Sequence, residues 1–310
     1  MATPAIEHLS TLYPEAKFTF IGSYVSIEAL KYHPQAEASF VDETKQQRNR
    51  LKATQVFAQS LGEFDIAITF RNNIYSTLIL FFTPSHLKIA RRSWHASLLL
   101  DKSVKLSRDI HLSEQYNNLV NILEPQPSSA PKSKLYIPQH QYDQPTLGIN
   151  PGATYGSAKR WYPDKFAEVA KAFSDRYQII IFGGPSEVDM GEDIEKRLLE
   201  MGVTDYLNLA GKTNIHELCS YIGGLDIFVT NDSGPMHVAA AYEVPTVAIF
   251  GPTRHYETCQ WKNEQSIIVR RDDVPCAPCM KRTCPLKHHE CMTKIEADDV
   301  IEAVKKLIRE

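Results

Sequence analysis

The residues of this chain best suited to hold a polyanion are collected in its second half. Asp232, Ser233, Gly234 and His237 stand in the stretch NDSGPMHVAAAYEVPTVAIFGPT (231–253), and Thr154, Lys159 and Arg160 in NPGATYGSAKRW (150–161). A lysine offers a compact point charge, and a helix opened by Ser-Gly-Pro offers backbone amides and the positive end of its dipole. Ser233 is a natural N-cap and Pro235 suits the first turn, while Gly234 permits a tight entry that a side chain would obstruct. The small residues from Val238 to Ala241 let that helix lie close on a sheet, so its first amides point out where a phosphate would sit. A third turn, FGGPSE (182–187), carries Glu187, whose carboxylate suits ribose hydroxyls. Plainer readings stand beside these: an ordinary capped β-α-β connection, a solvated Lys-Arg loop, and a buried His237 bonded to a carbonyl.

The elements that position these turns follow from apolar periodicity. Leu147–Ile149, Gln178–Phe182, Asp226–Thr230 and Val244–Phe250 read as strands, and Asp164–Phe173, Val188–Met201 and Ile215–Ile222 as helices between them. Upstream, 17–21 and 64–70 are strand-like, 4–12 and 54–61 helical. Strands alternating with helices predict an α/β protein with parallel sheets and ligands at the carboxyl ends of the strands. The segment 123–146, rich in Pro, Ser and Gln, reads as an interdomain linker, with Leu135–Ile137 as a short strand inside it. Two domains are expected, 1–144 and 145–310, facing a cleft.

With 310 residues the chain can bury two cores, and a formal charge of −3 argues against a nucleic-acid partner. The longest apolar run, 76–82, is too short to span a bilayer, and no signal-peptide pattern opens the sequence, which favours the cytoplasm. The six cysteines are then thiols. Cys276-x2-Cys279-x4-Cys284-x6-Cys291, with His288 and His289 nearby, has a spacing compatible with zinc. The second gap is short for a zinc ribbon, so free or redox-active thiols are the preferred reading and no metal is expected. Cys219 and Cys259 read as core residues. Two basic stretches lie in the first half: Lys45, Arg48, Arg50 and Lys52, then Lys88, Arg91, Arg92, Lys102, Lys105 and Arg108 around Trp94.

The segment 231–253, with Pro151-Gly152-Ala153, Lys159-Arg160-Trp161 and Cys276-x-x-Cys279-x-Lys281-Arg282-x-Cys284-Pro285, closely resembles the ADP-heptose:lipopolysaccharide heptosyltransferases, nearest their heptosyltransferase II branch. The resemblance covers most of the chain and is specific in the second half. It implies a GT-B fold of two Rossmann-like domains, the C-terminal one holding the donor, and metal- and cofactor-independent transfer with inversion. Position by position, it sets the donor diphosphate against the Ser233 and Gly234 amides, Thr154 and Lys159, with Asp232 and His237 beside it and Glu187 on the ribose. The implied acceptor is the anionic, lipid A-linked inner core at the cytoplasmic face of the inner membrane, which the basic stretches fit. Arg71, at a strand end, is the better cleft candidate, with Arg91 and Arg92.

In that family the opening helix is preceded by a strand and a Gly-Asp loop whose aspartate is thought to act as the base. Met-Ala-Thr-Pro-Ala matches the residues just after it. The expectation is a sequence starting at an internal methionine, its catalytic base upstream of Met1. The alternatives are a degenerate nucleotide-sugar-binding paralogue and a transferase with another acceptor, such as a protein hydroxyl.

Overall fold

A computed structural model describes residues 1–107 and 109–308, so Arg108 lies outside the described residues. The chain divides into two compact units, Met1–Pro131 and Lys132–Glu310.

The first unit runs α1 (Thr3–Leu12), β1 (Phe18–Gly22), α2 (Tyr24–Leu30), β2 (Ala36–Val41), α3 (Arg50–Gln59), β3 (Phe64–Thr69), α4 (Ile74–Phe82), β4 (Ser85–Arg91), α5 (Trp94–Leu99), β5 (Lys102–Val104) and α6 (Leu112–Val120). Its helices start where a short polar side chain can hold a free amide. Asn49, Asn73 and Ser93 accept from the amides of Lys52, Ser76 and Ala96 at 3.1, 3.0 and 3.2 Å. α1 packs on α6, and His8 Nδ1 meets Asn117 Oδ1 at 2.8 Å between them. All strand pairs are parallel, but among the described residues they form two separate sheets, β1–β2 and β3–β4–β5.

The second unit runs β6 (Thr146–Asn150), α7 (Pro163–Phe173), β7 (Gln178–Ile181), α8 (Val188–Glu200), β8 (Tyr206–Asn208), α9 (Ile215–Gly223), β9 (Ile227–Asn231), α10 (Gly234–Ala241), β10 (Thr246–Ile249), α11 (His255–Thr258), β11 (Ser266–Val269), α12 (Glu290–Thr293) and α13 (Ala297–Leu307). Its strands make one parallel sheet in the order β11-β10-β9-β6-β7-β8. Helices cover both faces, which is why β6, β9 and β10 are buried along their whole length. The two-residue alternation of a strand sends Ile179 and Ile181 into the core with Phe166, Leu198 and Val304, and Ile180 and Phe182 into the opposite one with Ile222 and Ala239.

The segment read as a linker is strapped down at both ends. Ser128 O accepts from Asn117 Nδ2 at 2.8 Å within the first unit. In the second, Ile137 O accepts from Tyr242 Oη at 2.9 Å and the His140 amide donates to Ser220 O at 2.9 Å. Leu135–Ile137 forms no strand; the Tyr242 hydroxyl, and not a ladder partner, takes the Ile137 carbonyl. The unit boundary after Pro131 also falls before the expected one at 144.

Candidate active site

The carboxyl ends of β6 and β9 lie side by side, Asn150 in register with Thr230, where the strand order turns back on itself. Chains leaving two such strands diverge to opposite faces, which opens a crevice suited to a nucleotide. Two asparagines hold the loops that line it. Asn231 Nδ2 donates to Pro151 O at 2.7 Å, and its Oδ1 accepts from the Trp161 amide at 3.1 Å. Asn150 Nδ2 lies 3.2 Å from Gly152 O and 3.3 Å from Ser233 Oγ. Trp161 is buried, its indole donating to Ile295 O at 3.0 Å, so the loop 151–161 is fixed at both ends. Neither asparagine stood out in the sequence, where a polar residue closing an apolar strand was the available signal.

Lys159 and Asp232 form the electrostatic centre. Lys159 Nζ stands 2.5 Å from Asp232 Oδ2, their side chains only 12% and 4% exposed, and it also donates to Asp232 O at 3.3 Å. Thr253 Oγ1 donates to the same carboxylate oxygen at 2.6 Å. An ammonium has three protons, and with two directed at Asp232 the third remains for a ligand. The Tyr155 ring adds to the cation's environment, its centroid 4.7 Å from Lys159 Nζ and 5.2 Å from the Arg282 guanidinium. Thr154 is exposed on the same loop.

Two expectations about the start of α10 are corrected. Ser233 sits at the N-cap position with extended backbone, but its side chain makes no cap hydrogen bond and accepts the Asn150 amide instead. Its hydroxyl therefore leaves the first-turn amides unengaged. Gly234 is not forced by a tight entry, since a Cβ there meets nothing within 4 Å. Its exposed backbone and that open space make the helix start approachable by a ligand. His237 is half-buried on the same helix.

Glu187, expected to meet ribose hydroxyls, is instead buried. Its Oε2 accepts the Gly184 amide at 2.8 Å, and its Oε1, 3.8 Å from the Arg160 guanidinium, has no hydrogen-bond partner. The carboxylate lies under Gly152, where any side chain would collide with it. Glu187 thus stands behind the β6 loop and not at the open crevice.

Cys276, Cys279, Cys284 and Cys291 line one cavity together with His288 and His289, and none of the six cysteines is in a disulfide. Burial, helped by the neighbouring thiols, pushes the Cys291 thiol up to about 11. Cys276 Sγ lies 3.9 Å from His288 Nε2, yet among the described residues no three His, Cys, Asp or Glu side chains are arranged to hold a metal ion. The segment instead braces the Lys159 loop. The Ala158 amide donates to Arg282 O at 3.1 Å, Tyr155 Oη donates to Met280 O at 2.9 Å, and His289 bridges Ala158 O at 2.8 Å and Tyr162 Oη at 2.9 Å. Gly156 fits because a Cβ there would strike the Arg282 carbonyl. Spacing of the cysteines alone carried no sign of this contact.

In the first unit, Arg71 follows β3 and Arg91 ends β4, adjacent strands with Thr69 in register with Ala90, so both lie at the carboxyl edge. Arg71 is exposed and stands 4.0 Å from Asp42, just beyond β2. Arg91 is half-buried near Tyr116, whose phenol is pushed up by burial against the opposing effect of that guanidinium. Arg92 is exposed, its amide donating to Val104 O at 2.7 Å. Among the described residues no helix is long and apolar enough to cross a membrane.

Comparison with known proteins agrees with this architecture. Residues 55–290 match the model of glycosyltransferase family 9 (heptosyltransferase). Lipooligosaccharide heptosyltransferase 2 of Campylobacter jejuni is 36% identical over 319 aligned positions, covering 100% of this chain and 94% of that protein. Two solved structures share the fold: a family 9 glycosyltransferase from Veillonella parvula, at TM-score 0.83 and 21% identity over 99% of this chain and 92% of that one, and the Escherichia coli ADP-heptose lipopolysaccharide heptosyltransferase II, at 0.79 and 22% over 99% and 94%. With a family match across residues 55–290 and a full-length relative above one-third identity, the chain belongs to glycosyltransferase family 9, the heptosyltransferases.

Proposed function

We propose that this heptosyltransferase moves L-glycero-D-manno-heptose from ADP-heptose to the heptose of the lipopolysaccharide inner core, inverting the anomeric carbon. The observation that carries the donor half is the meeting of Lys159, Asp232 and the first turn of α10 at the β6–β9 switch point. The names of the relatives, lipooligosaccharide and ADP-heptose lipopolysaccharide heptosyltransferases, support the sugar and the acceptor class.

In the reaction the acceptor oxygen attacks the anomeric carbon from the face opposite the diphosphate. A new carbon–oxygen bond forms, the bond to phosphate breaks with its electron pair leaving on ADP, and the hydroxyl proton passes to a general base. Charge grows on the departing diphosphate, and Lys159 with the Ser233 and Gly234 amides is placed to stabilise it. Thr154 completes the phosphate contacts, and Asp232 and His237 flank them, Asp232 aligning the ammonium. Glu187, buried behind the β6 loop, supports that loop and the Gly184 turn instead of meeting the ribose directly. In this reading the second unit is the donor half and the first the acceptor half, with Arg71, Arg91 and Arg92 meeting core phosphates. The lipid-anchored acceptor brings the enzyme to the cytoplasmic face of the inner membrane.

The deciding assay is ADP release from purified protein given ADP-heptose, core acceptor, or both. Release that needs both supports the proposal; ADP binding without release under any combination replaces it with a nucleotide-sugar-binding role.

A further inference from the structure

The two most exposed large hydrophobic side chains among the described residues are Trp94 and Leu98, each 75% exposed. They lie one turn apart on α5, so they share a face with the exposed Ser97. The other face is spent on the fold: His95 and Ala96 are buried, and Ala96 joins Leu80, Ala90 and Leu100 in a core cluster. His95 Nδ1 is held by Thr77 Oγ1 at 2.8 Å, and Ser93 caps the helix. The exposed pair is therefore presented by a fixed helix, its one ring contact among the described residues being Trp94 edge-on to His95 with centroids 5.5 Å apart.

The surroundings are basic. Between residues 83 and 107 the sequence carries five Lys or Arg, at 88, 91, 92, 102 and 105, and one acid, Asp101. Arg92, Lys102 and Lys105 are exposed, while Asp101 accepts the Lys88 amide at 2.8 Å. An indole and a leucine rimmed by cations suit the boundary of an anionic bilayer, where the apolar groups enter the headgroup–acyl region and the cations meet lipid phosphates. An acidic protein would satisfy the cations but leave the indole and the leucine without a stated pocket.

We propose that the exposed face of α5, Trp94 and Leu98 within the Arg92, Lys102 and Lys105 rim, docks on an anionic lipid bilayer. Because α5 begins three residues after the end of β4, this face adjoins the edge that carries Arg91. If the acceptor is lipid-anchored, as proposed above, its head group rises beside that edge. The docking itself depends only on the α5 surface and not on which sugar is moved.

Trp94 supplies its own reporter, since Trp161 is 1% exposed and Trp261 is half-buried. In a Trp261→Phe background the whole chain is titrated with phosphatidylglycerol-containing vesicles and with pure phosphatidylcholine vesicles. The expected result is a blue shift of emission and co-sedimentation with the anionic vesicles only, weakened by salt. Trp94→Ser removes the shift, and Trp94→Ser/Leu98→Ser lowers vesicle partitioning about tenfold or more. Both variants retain the parent melting temperature and ADP affinity, because the side chains are exposed and lie in the first unit. Vesicle binding unchanged in the double variant, equal binding to neutral vesicles, or no vesicle binding by the parent overturns the proposal. None of these outcomes bears on the substrate-dependent release of ADP, so the two readings fail separately.

Discussion

Replacing Lys159 by methionine tests the centre of the donor site with little change of shape. The side chains of Lys159 and Asp232 are 12% and 4% exposed, so the substitution leaves a carboxylate in a nearly dry setting with only the Thr253 hydroxyl and local dipoles for company. Removing one partner of such a pair costs about 3–5 kcal/mol. For a unit of this size each kcal/mol lowers the melting temperature by roughly 2–4 °C, so a drop on the order of 6 °C or more is expected by calorimetry. The ligand effect is separate: a hydrogen bond to a charged group contributes about 1.5–3 kcal/mol. That corresponds to roughly 10- to 150-fold weaker ADP binding by titration calorimetry. The two effects come apart in Lys159→Met/Asp232→Asn, which removes both charges and keeps an acceptor for Thr253. Its melting temperature recovers most of the loss while ADP affinity stays low. ADP binding within twofold of the parent in Lys159→Met refutes the diphosphate contact, and an unchanged melting temperature refutes the buried pair.

Gly234→Val is the fold-neutral counterpart. A Cβ at Gly234 meets nothing within 4 Å, so the melting temperature holds while the added branches obstruct the helix start and ADP affinity falls at least about tenfold. Arg71→Ala and Arg91→Ala lower kcat/KM for the core acceptor, with a reduced salt dependence, and leave ADP binding unchanged; equal loss for both substrates would count against an acceptor role. Burial raises the thiols of Cys291, to about 11, and Cys219, to about 12, well above the ordinary thiol value, so their neutral forms are favoured by the fold. Their contribution is intact below about pH 9 and is lost as pH rises through those values, so stability declines between about pH 9 and 12, less steeply in Cys291→Ser. At pH 8 under native conditions both resist iodoacetamide; rapid labelling of either, read by peptide mass, contradicts their placement.

The second unit was largely legible because its strands are buried on both faces and read as unbroken apolar runs. β7 and β10 lie within the segments expected for them, β6 extends one residue beyond Leu147–Ile149 at each end, β9 is displaced by one residue from Asp226–Thr230, and α10 falls where Ser-Gly-Pro placed it. β8 and β11 did not announce themselves, being three and four residues at the outer positions of the sheet, where burial is partial. Contacts made by topology were invisible too. Lys159 and Asp232 meet because β6 and β9 are neighbours, and nothing local in either segment says so. Glu187 reads as a ribose ligand from its place in a glycine-rich turn; the close approach of Gly152 and Gly184, which buries it, is not legible in that turn. Leu135–Ile137 has the composition of a strand, but its partners are side chains of the second unit rather than another strand.

The division of the first unit's strands has a consequence for how the molecule exchanges its amide hydrogens with solvent. Among the described residues, a two-stranded and a three-stranded sheet leave β1, β2, β3 and β5 each bonded along one side, with β4 alone held on both. In the second unit four of six strands are flanked on both sides. An outer strand can detach by breaking one ladder, and its amides then exchange without global unfolding. Deuterium therefore enters the first unit in small steps, strand by strand, while β6, β9 and their neighbours exchange late and together. A nucleotide held at the β6–β9 crevice slows that last phase and leaves the early ones where they were.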